Sequence, residues 1–371
     1  MFNLFKLQER NFHLLGRSIL FTVGMQKKSL EGIPMAAGFL LDVFTLGRID
    51  QLWSLCLQMI YLGLIFIFLW LDRIPEERRK FGFFWKYYDF LLQFCYGGLL
   101  SGYSIFYFKS ASSLLVVLFA AILFILMVVN ESKAFHSMKF PIRYVLASLC
   151  LCSFLVYLFP IVFHWMNWFS FMLSVTASLF AYLWFVDKSH KSMTWKDQPK
   201  RERGMWGAAV PILFAVLYIF KLIPPVPLSC TELGIYHNIT KQNNEYELTY
   251  TRPWWRFWEH GDQTFLAREG DKVYVFTSVF APSDLNHKIV IRWEKYNTQA
   301  GEWQTTDMIP MAIKGGRDEG YRGFAYKSTA SEGKWRVRIE TEEGRELRRL
   351  RFNIKPDSNP DEPIVPKIKK S

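Results

Sequence analysis

The chain has 371 residues, of which 51% are hydrophobic and 18% aromatic, and its formal net charge is +12. This apolar content exceeds what a soluble protein of that length needs, so the composition indicates a membrane protein. Residues 1–227 hold 22 Lys and Arg against 12 Asp and Glu, whereas residues 228–371 hold 23 against 21. The positive excess therefore lies beside the apolar segments, where basic loops meet lipid headgroups. We expect the lipid bilayer as a partner and no nucleic acid.

The N-terminal region divides into two parts. Residues 1–32 are predicted to form a cytoplasmic or interfacial segment, in which Phe5, Phe12 and Ile19 share one face of a surface-lying helix. Residues 33–46 form an apolar stretch that contains Asp42 and is short for a bilayer core, which needs about 20 helical residues. This stretch is either an additional span or a re-entrant half-helix.

Six longer apolar runs predict transmembrane helices. Together with residues 33–46 they define a polytopic α-helical membrane domain of six to seven transmembrane helices over residues 33–223. The runs are Leu52–Leu71, Tyr87–Phe108, Ala111–Val129, Tyr144–Phe163, Trp168–Val186 and Met205–Leu222.

The loops between these runs alternate in basic charge. Residues 72–86, 130–143 and 187–203 carry 14 Lys and Arg, whereas the two intervening connections carry only Lys109. Because short cytoplasmic loops are enriched in Lys and Arg, the three basic loops are predicted to lie in the cytoplasm. The chain after the last helix is then extracytoplasmic.

The remaining sequence changes its hydrophobic period from that of helices to that of strands. A Pro-rich linker at residues 224–229 precedes residues 230–356, where apolar and polar residues alternate in short segments. Trp335, Val337 and Ile339, for example, share one face of a predicted strand. This pattern predicts a soluble, all-β antiparallel sandwich domain of about seven strands. Residues 357–371 are predicted to form a disordered tail.

Several motifs of this domain resemble those of the bacterial domain-of-unknown-function family DUF2914. They are the Arg292-Trp293 pair, the run from Ile309 to Arg322, the segment Gly333–Val337, and the Gly344 turn before Leu350-Arg351-Phe352. The preceding region, with Leu46-Gly47-Arg48-Ile49-Asp50-Gln51, resembles the multi-span membrane region found ahead of this domain in some bacterial proteins. The resemblance implies a bacterial envelope protein and carries no established activity.

One set of candidate ligand-binding residues lies in the motifs of this resemblance. The glycine-rich stretch at residues 314–323 exposes backbone amides beside cationic side chains, which is an arrangement that binds carboxylate or phosphate. The alternative is a tight hairpin whose own charges stabilise its geometry. The candidates are Arg292, Trp293, Lys314, Arg317, Asp318, Arg322 and Trp335.

A dense aromatic segment follows the last predicted helix by about 30 residues. It contains Trp254, Trp255, Phe257 and Trp258, with Arg256 between them. Tryptophan is common at membrane interfaces, so we expect this segment to dock on the bilayer or on the helical domain. Stacking on the faces of sugars is the alternative.

Polar residues near the outer ends of the predicted helices form a second candidate cluster. Asp42, Arg48, Asp50, His164 and Asn167 would combine acidic, basic and hydrogen-bonding groups on one side of the membrane. Ionisable groups at membrane depth are costly and often functional, although these residues could equally pair at a helix junction. The Cys and His residues have no metal-ligand spacing, and no cofactor motif or catalytic residue is predicted.

These patterns favour a non-enzymatic protein of the bacterial inner membrane. Its periplasmic sandwich would bind another envelope protein or a cell-wall glycan. One alternative is a transporter or channel subunit that uses the outer-face charged residues. The other is a membrane-embedded transferase on a lipid-linked substrate, with His164 or Asp50 as base.

A reporter enzyme that is active only outside the cytoplasm tests the predicted topology. Fused after Lys355, the reporter should be active, because the loop charges place this end of the chain outside. Inserted near Gln198, it should be inactive. The opposite pattern of activities would overturn the topology.

Overall fold

The computed structural model divides the chain into two units, residues 1–47 and 48–371, and everything it describes belongs to the second. The described residues are 51–72, 74, 82–111, 114–130, 141–164, 166–191, 200–224, 226–242, 245–256, 258–268, 270–282, 286–314, 320–357 and 367–370. The predicted segment 1–32 and the predicted span or half-helix at residues 33–46 lie outside them.

Six helices form the first half of this unit, as far as the described residues show. Each of them overlaps one of the six apolar runs identified in the sequence. They are α1 (Leu52–Leu71), α2 (Gly82–Lys109), α3 (Leu114–Asn130), α4 (Pro141–Phe163), α5 (Trp168–Lys191) and α6 (Lys200–Ile219).

Three of the helices contain stretches long and apolar enough to cross a membrane: Leu52–Leu71, Ile142–Phe163 and Trp168–Ser189. The shorter apolar stretches of α3 and α6 are Val116–Met127 and Gly204–Ile219. Helix α2 is long, but it carries Lys86, Asp89 and several tyrosines. The predicted number of six to seven spans is therefore not supported by length and composition in the described residues. The prediction of an apolar helical half is confirmed.

The helices pack through buried aromatic and small side chains while leaving large apolar side chains exposed. The ring centroids of Tyr103 in α2 and Tyr157 in α4 lie 5.9 Å apart. Ser148 donates a hydrogen bond of 2.7 Å to the carbonyl oxygen of Gly207 in α6. Exposed apolar side chains on outward faces are expected of a helical bundle that meets lipid. They include Trp53, Ile60, Phe90, Ile122, Phe180, Trp184, Ile212 and Ile219.

Ion pairs join one end of the bundle. The guanidinium of Arg143, at the start of α4, lies 2.7 Å from the carboxylate of Asp89 in α2 and 3.9 Å from that of Asp72 after α1. The backbone carbonyl of Arg143 also accepts a hydrogen bond of 2.6 Å from the hydroxyl of Tyr96. Three helices are thus joined at the end that the basic loops predict to be cytoplasmic.

The second half of the unit is built from strands, eleven of them in the described residues. They are β1 (Ser229–Tyr236), β2 (Asn238–Gln242), β3 (Glu245–Tyr250), β4 (Thr264–Ala267), β5 (Val273–Phe280), β6 (Asn286–Asn297), β7 (Glu302–Lys314), β8 (Tyr321–Lys327), β9 (Gly333–Thr341), β10 (Glu346–Pro356) and β11 (Lys367–Lys370). They form three sheets with the orders β1-β5-β8, β4-β10-β9-β6-β7 and β11-β3-β2.

This arrangement differs from the predicted seven-stranded antiparallel sandwich in three respects. There are more strands, and β4 pairs with β10 in parallel. In addition, β11 forms within the predicted disordered tail and pairs with β3 through residues 367–370. Its sequence, Lys-Ile-Lys-Lys, has the composition of a solvated tail, and what makes it a strand is backbone pairing with a distant segment.

The largest apolar core of this half lies between the three-stranded sheet β1-β5-β8 and the five-stranded sheet. Trp293 of β6 and Trp335 of β9 are buried there, and Trp293 meets the ring of Phe352 edge-on at 6.3 Å. The alternation of β9 is as predicted, because Trp335, Val337 and Ile339 are all buried.

The close approach of α5 and α6 at Gly207 generates a stability prediction. A Cβ atom at Gly207 would lie 2.0 Å from the ring of Tyr182, which is completely buried. Gly207→Ala should therefore destabilise the bundle by about 1–3 kcal/mol, as overpacking does. Thermal unfolding of the detergent-purified protein, followed by circular dichroism, measures this.

Gly102→Ala is the matched control, because a Cβ atom there would meet nothing within 4 Å. That variant should unfold at the wild-type temperature or slightly above it, since alanine favours helix. Equal destabilisation by the two variants would contradict the packing of α5 on α6.

Candidate functional site

Among the candidate ligand-binding residues of the sandwich that the structure describes, Arg292 and the two tryptophans lie on different faces of one sheet. Trp293 and Trp335 lie in the core, where the indole N–H of Trp335 donates to the carbonyl oxygen of Ser331 at 2.8 Å. Arg292 lies on the opposite face of the five-stranded sheet, and its Nε donates to Glu340 at 2.9 Å. In both pairs, Arg292-Trp293 and Trp335-Arg336, the tryptophan thus lies in the core and the arginine on the surface. The sequence groups these residues because they lie in the motifs of the family resemblance, but the two-residue period of a strand places neighbouring side chains on opposite faces.

The surface of this sheet carries a ladder of ion pairs. Glu294 of β6 is buried between two arginines of β9: it pairs with Arg336, and its Oε1 accepts a bond of 2.9 Å from Arg338. Arg338 also lies 3.1 Å from Glu340. Burial alone would raise the pKa of Glu294, but the hydrogen bonds and charges of Arg336 and Arg338 outweigh it and lower that pKa. These arginines stabilise the sheet.

The other candidates of this set lie elsewhere. Arg322 is in β8, in the three-stranded sheet, where its guanidinium lies 5.7 Å from the centre of the Tyr246 ring. The backbone of Lys314 ends β7. Arg317 and Asp318 lie outside the described residues, so the predicted anion-binding loop stays a prediction.

Two members of the predicted membrane cluster lie in the turn between α4 and α5. His164 is exposed and has a positive φ of 55°, whereas Asn167 caps α5 by accepting a hydrogen bond of 2.9 Å from the backbone N–H of Ser170. This is the ordinary stabilising role of asparagine at a helix N-terminus. Asp42, Arg48 and Asp50 lie outside the described residues.

The aromatic segment is the most exposed aromatic surface of the strand-built half. In the tryptophan loop, defined here as residues 251–262, the side chains of Trp254, Trp255 and Trp258 are 83%, 49% and 61% exposed. The guanidinium of Arg256 lies 4.8 Å from the centre of the Trp255 ring, and the Trp255 and Trp258 rings lie 6.3 Å apart. The expected docking of these rings on the bilayer or on the helical half stays a prediction. Phe257 lies outside the described residues.

A buried carboxylate closes the base of this loop. Asp262 is almost fully buried, and its two carboxylate oxygens each accept a hydrogen bond of 3.0 Å from the backbone N–H of Thr251. His237 lies 3.6 Å from Asp262 and stacks on the ring of Phe265. Burial raises the pKa of Asp262 and lowers that of His237. The contact joins the first residue of the loop to its last, so the tryptophans project from a fixed base.

This base lies far along the strands from the helices. Gln263, next to the loop, accepts a hydrogen bond of 2.8 Å from the backbone N–H of Asn353 in β10. Strand β10 begins at Glu346, directly after the turn that contacts the helical bundle. Seven residues of strand correspond to about 23 Å. The tryptophan loop therefore leaves the sandwich near the end opposite the helical bundle.

The turn between β9 and β10 joins the sandwich to the bundle. Glu343 accepts a hydrogen bond of 2.8 Å from the backbone N–H of Trp168, the first residue of α5. Arg345 lies over the ring of Tyr218 in α6 at 3.4 Å, and its Nη2 donates to the carbonyl oxygen of Tyr218 at 3.1 Å. Tyr218 in turn stacks on Phe171 of α5, with 3.8 Å between ring centroids. One turn thus contacts two helices at one end of the bundle.

A small cleft lies beside this turn. Its interior of about 30 Å³ has room for one or two water-sized groups. Its walls come from α4, α5, α6, the linker and the β9–β10 turn. They are formed by Val156, Pro160, Met166, Asn167, Phe171, Tyr218, Pro224, Val226, Thr341, Glu343 and Arg345.

Comparison with known proteins confirms the resemblance noted in the sequence. Residues 286–354 match the family described as "Protein of unknown function (DUF2914)". The match begins with β6 and ends within β10, so it covers the ion-pair ladder and the β9–β10 turn but not the tryptophan loop. No curated protein matches the chain.

Three solved structures that match the chain resemble it only weakly. An immunoglobulin-like protein from Pseudomonas aeruginosa is 11% identical, with a TM-score of 0.22, over 35% of this chain and 98% of that chain. A β-glucosidase from Listeria innocua is 10% identical, with a TM-score of 0.19, over 26% and 15%. A DNA glycosylase from Pseudomonas fluorescens is 11% identical, with a TM-score of 0.23, over 72% and 77%. None of these similarities bears on function.

The ion-pair ladder generates a pH prediction. Because the pKa of Glu294 is lowered in the folded state, its ionised form stabilises the fold above the unfolded-state pKa of about 4.5, and this contribution is lost as the pH falls through the folded-state pKa. Glu294→Gln should lower the free energy of unfolding near pH 7 by about 1–3 kcal/mol. The difference from the wild type should shrink below pH 4.5 in denaturant titrations.

Glu302→Gln is the control, because that carboxylate is exposed on the neighbouring strand β7. It should change the free energy of unfolding little, because the side chain is exposed. A difference between Glu294→Gln and the wild type that stays constant down to acidic pH would show that the ionised carboxylate does not stabilise the sheet.

Proposed function

We propose that this chain is a multi-pass protein of the bacterial inner membrane that binds a cell-wall glycan through its tryptophan loop. In this proposal residues 33–223 form the membrane domain, the linker 224–229 leads out of the bilayer, and the sandwich of residues 230–356 lies in the periplasm. The tryptophan loop carries the binding function, and the helical bundle anchors it.

Features of all six helices support membrane insertion, besides the three stretches that are long and apolar enough to cross a membrane. Helices α2 and α6 pack against the three helices that contain these stretches, and α3 packs against α2 and, through Phe119 and Phe214, against α6. Helices α2, α3 and α6 also expose large apolar side chains, such as Phe90, Ile122 and Ile212. A bundle with such faces needs an apolar surrounding along its whole circumference. We therefore place all six helices in the bilayer, and the alternating loop charges support a periplasmic sandwich.

The exposed tryptophans are the observation that carries the glycan proposal. Indole rings stack on the apolar faces of sugars, and three of them are presented on one loop. The loop contains charged side chains, such as the pair Arg256 and Glu259 at 3.7 Å, that can hydrogen-bond to hydroxyl groups. Its sequence from Thr251 to Asp262 includes no Ala, Val, Leu, Ile or Met. Aromatic and charged residues without aliphatic ones suit a sugar better than an apolar protein surface.

The position of the loop supports the same proposal. Its base lies about 23 Å along β10 from the turn that contacts the bundle, so the loop begins and ends toward the end of the sandwich away from the helices. In an inner-membrane protein that direction leads into the periplasm, where the cell wall is located. Insertion of these rings into the protein's own bilayer is disfavoured by the same distance.

No specific observation in the described residues favours a transporter or channel subunit, or a membrane-embedded transferase. The acidic and basic residues proposed for transport or transfer, Asp42, Arg48 and Asp50, lie outside the described residues, and Asn167 serves as a helix cap. A protein partner for the tryptophan loop is an outcome that the following experiment distinguishes.

Binding to purified peptidoglycan sacculi tests the glycan proposal. The intact, detergent-solubilised protein should co-sediment with sacculi, and Trp254→Ala or Trp258→Ala should weaken this binding about tenfold through the loss of one stacking contact. Muramidase digestion of the sacculi should release the bound wild-type protein. Sedimentation assays over a range of sacculus concentrations give the affinities.

Tyr326→Ala is the control, because this aromatic side chain is 52% exposed on β8, outside the tryptophan loop. That variant should bind like the wild type. Wild-type protein that fails to bind sacculi, or binding unchanged by both tryptophan substitutions, would reject the glycan. Retention of the protein by a purified envelope protein instead would identify a protein partner.

A further inference from the structure

The cleft beside the β9–β10 turn contains an arginine whose hydrogen-bonding capacity is only partly used. Arg345 is only 9% exposed, and its Nε and Nη1 have no hydrogen-bond partner among the residues that the structure describes. The Oε2 atom of Glu343 lies 3.7 Å from Nε, which is too far for a hydrogen bond. Burial of a cation with unsatisfied N–H groups costs free energy, so we expect a bound acceptor for these groups.

Glu343 does not neutralise this arginine completely. Its Oε1 accepts the N–H of Trp168, and its Oε2 lies 3.4 Å from the hydroxyl of Tyr218. The first contact places the carboxylate at the N-terminus of α5, where the helix dipole already favours a negative charge. Lys221 adds a second cation at the same turn, with its Nζ 3.3 Å from the carbonyl oxygen of Gly344. These three side chains therefore leave an excess of one positive charge.

The rest of the cleft is apolar. Its walls include Met166, Phe171 and Val226, together with Val156 and Pro160 of α4. Exposed apolar side chains lie in the helix ends from which the cleft is built. They are Phe163, Trp168, Phe169, Ile219 and Phe220. A molecule that satisfies both parts must be amphipathic, with an anionic group and a hydrocarbon chain.

We propose that this cleft binds the anionic headgroup of a phospholipid from the outer leaflet, with a phosphate oxygen accepting the N–H groups of Arg345. A guanidinium binds phosphate well because its planar N–H groups match two oxygens. The cleft has room only for oxygens of the phosphate, so the rest of the headgroup and the acyl chains remain outside it, along the exposed apolar residues of the helix ends. This lipid site is separate from the tryptophan loop.

Native mass spectrometry of the full chain, released from detergent with defined lipids, tests the proposal. The wild type should retain phosphatidylglycerol in preference to phosphatidylethanolamine, and Arg345→Gln should weaken phosphatidylglycerol retention about tenfold. Lys221→Gln should give a smaller loss, because Lys221 is exposed at the rim. The control is Arg349→Gln, an exposed arginine on β10 that pairs with Glu346, and it should retain lipid like the wild type.

The wild type alone can overturn the proposal, even if Arg345→Gln does not fold. Equal retention of the zwitterionic and anionic lipids would remove it. A thermal-shift arm with inorganic phosphate separates the two sources of the anion: phosphatidylglycerol should raise the unfolding temperature and inorganic phosphate should not. Stabilisation by inorganic phosphate equal to that by the lipid would show a soluble-anion site and overturn the lipid assignment.

Discussion

The contact of the β9–β10 turn with the ends of α5 and α6 determines where the sandwich lies. Glu343 binds the first N–H of α5, and Arg345 binds the ring and the carbonyl oxygen of Tyr218 in α6. Both side chains come from one tight turn, in which Gly344 adopts a positive φ of 71°. Because Arg345 is buried, these contacts offset part of the cost of taking its charge out of water.

This attachment gives the sandwich two ends with different properties. The attached end combines buried charge with exposed apolar helix residues, which is the composition of a lipid interface. The opposite end presents three exposed tryptophans on a loop closed by Asp262 and Thr251. About 23 Å of strand separates the two. A protein with these two surfaces is suited to connect a membrane to a structure outside it, and binding at one end leaves the other accessible.

The sequence predicts the local features of this molecule and not the long-range ones. Apolar runs predict all six described helices, and two-residue alternation predicts the inward residues of β9, because both depend on neighbours in the chain. The contact of Arg345 with Tyr218 joins residues 127 positions apart, and Asp262 reaches Thr251 across a loop. Nothing in the local sequence pattern distinguishes Arg345 from the other arginines. In the same way, the pattern does not distinguish Trp293, which lies in the core, from Trp254, which is exposed. Burial separates them, and burial depends on the assembled sheets.

The most direct test of the account is photo-crosslinking in living bacteria from position 254. A photoreactive amino acid that replaces Trp254 should form a covalent adduct with the partner. Muramidase should digest the attached partner, whereas a protease should not. The same amino acid at Tyr326 should form little of this adduct. An adduct from position 254 that resists muramidase, or one formed with membrane lipid, would contradict the claim that the tryptophan loop extends from the membrane to a cell-wall glycan.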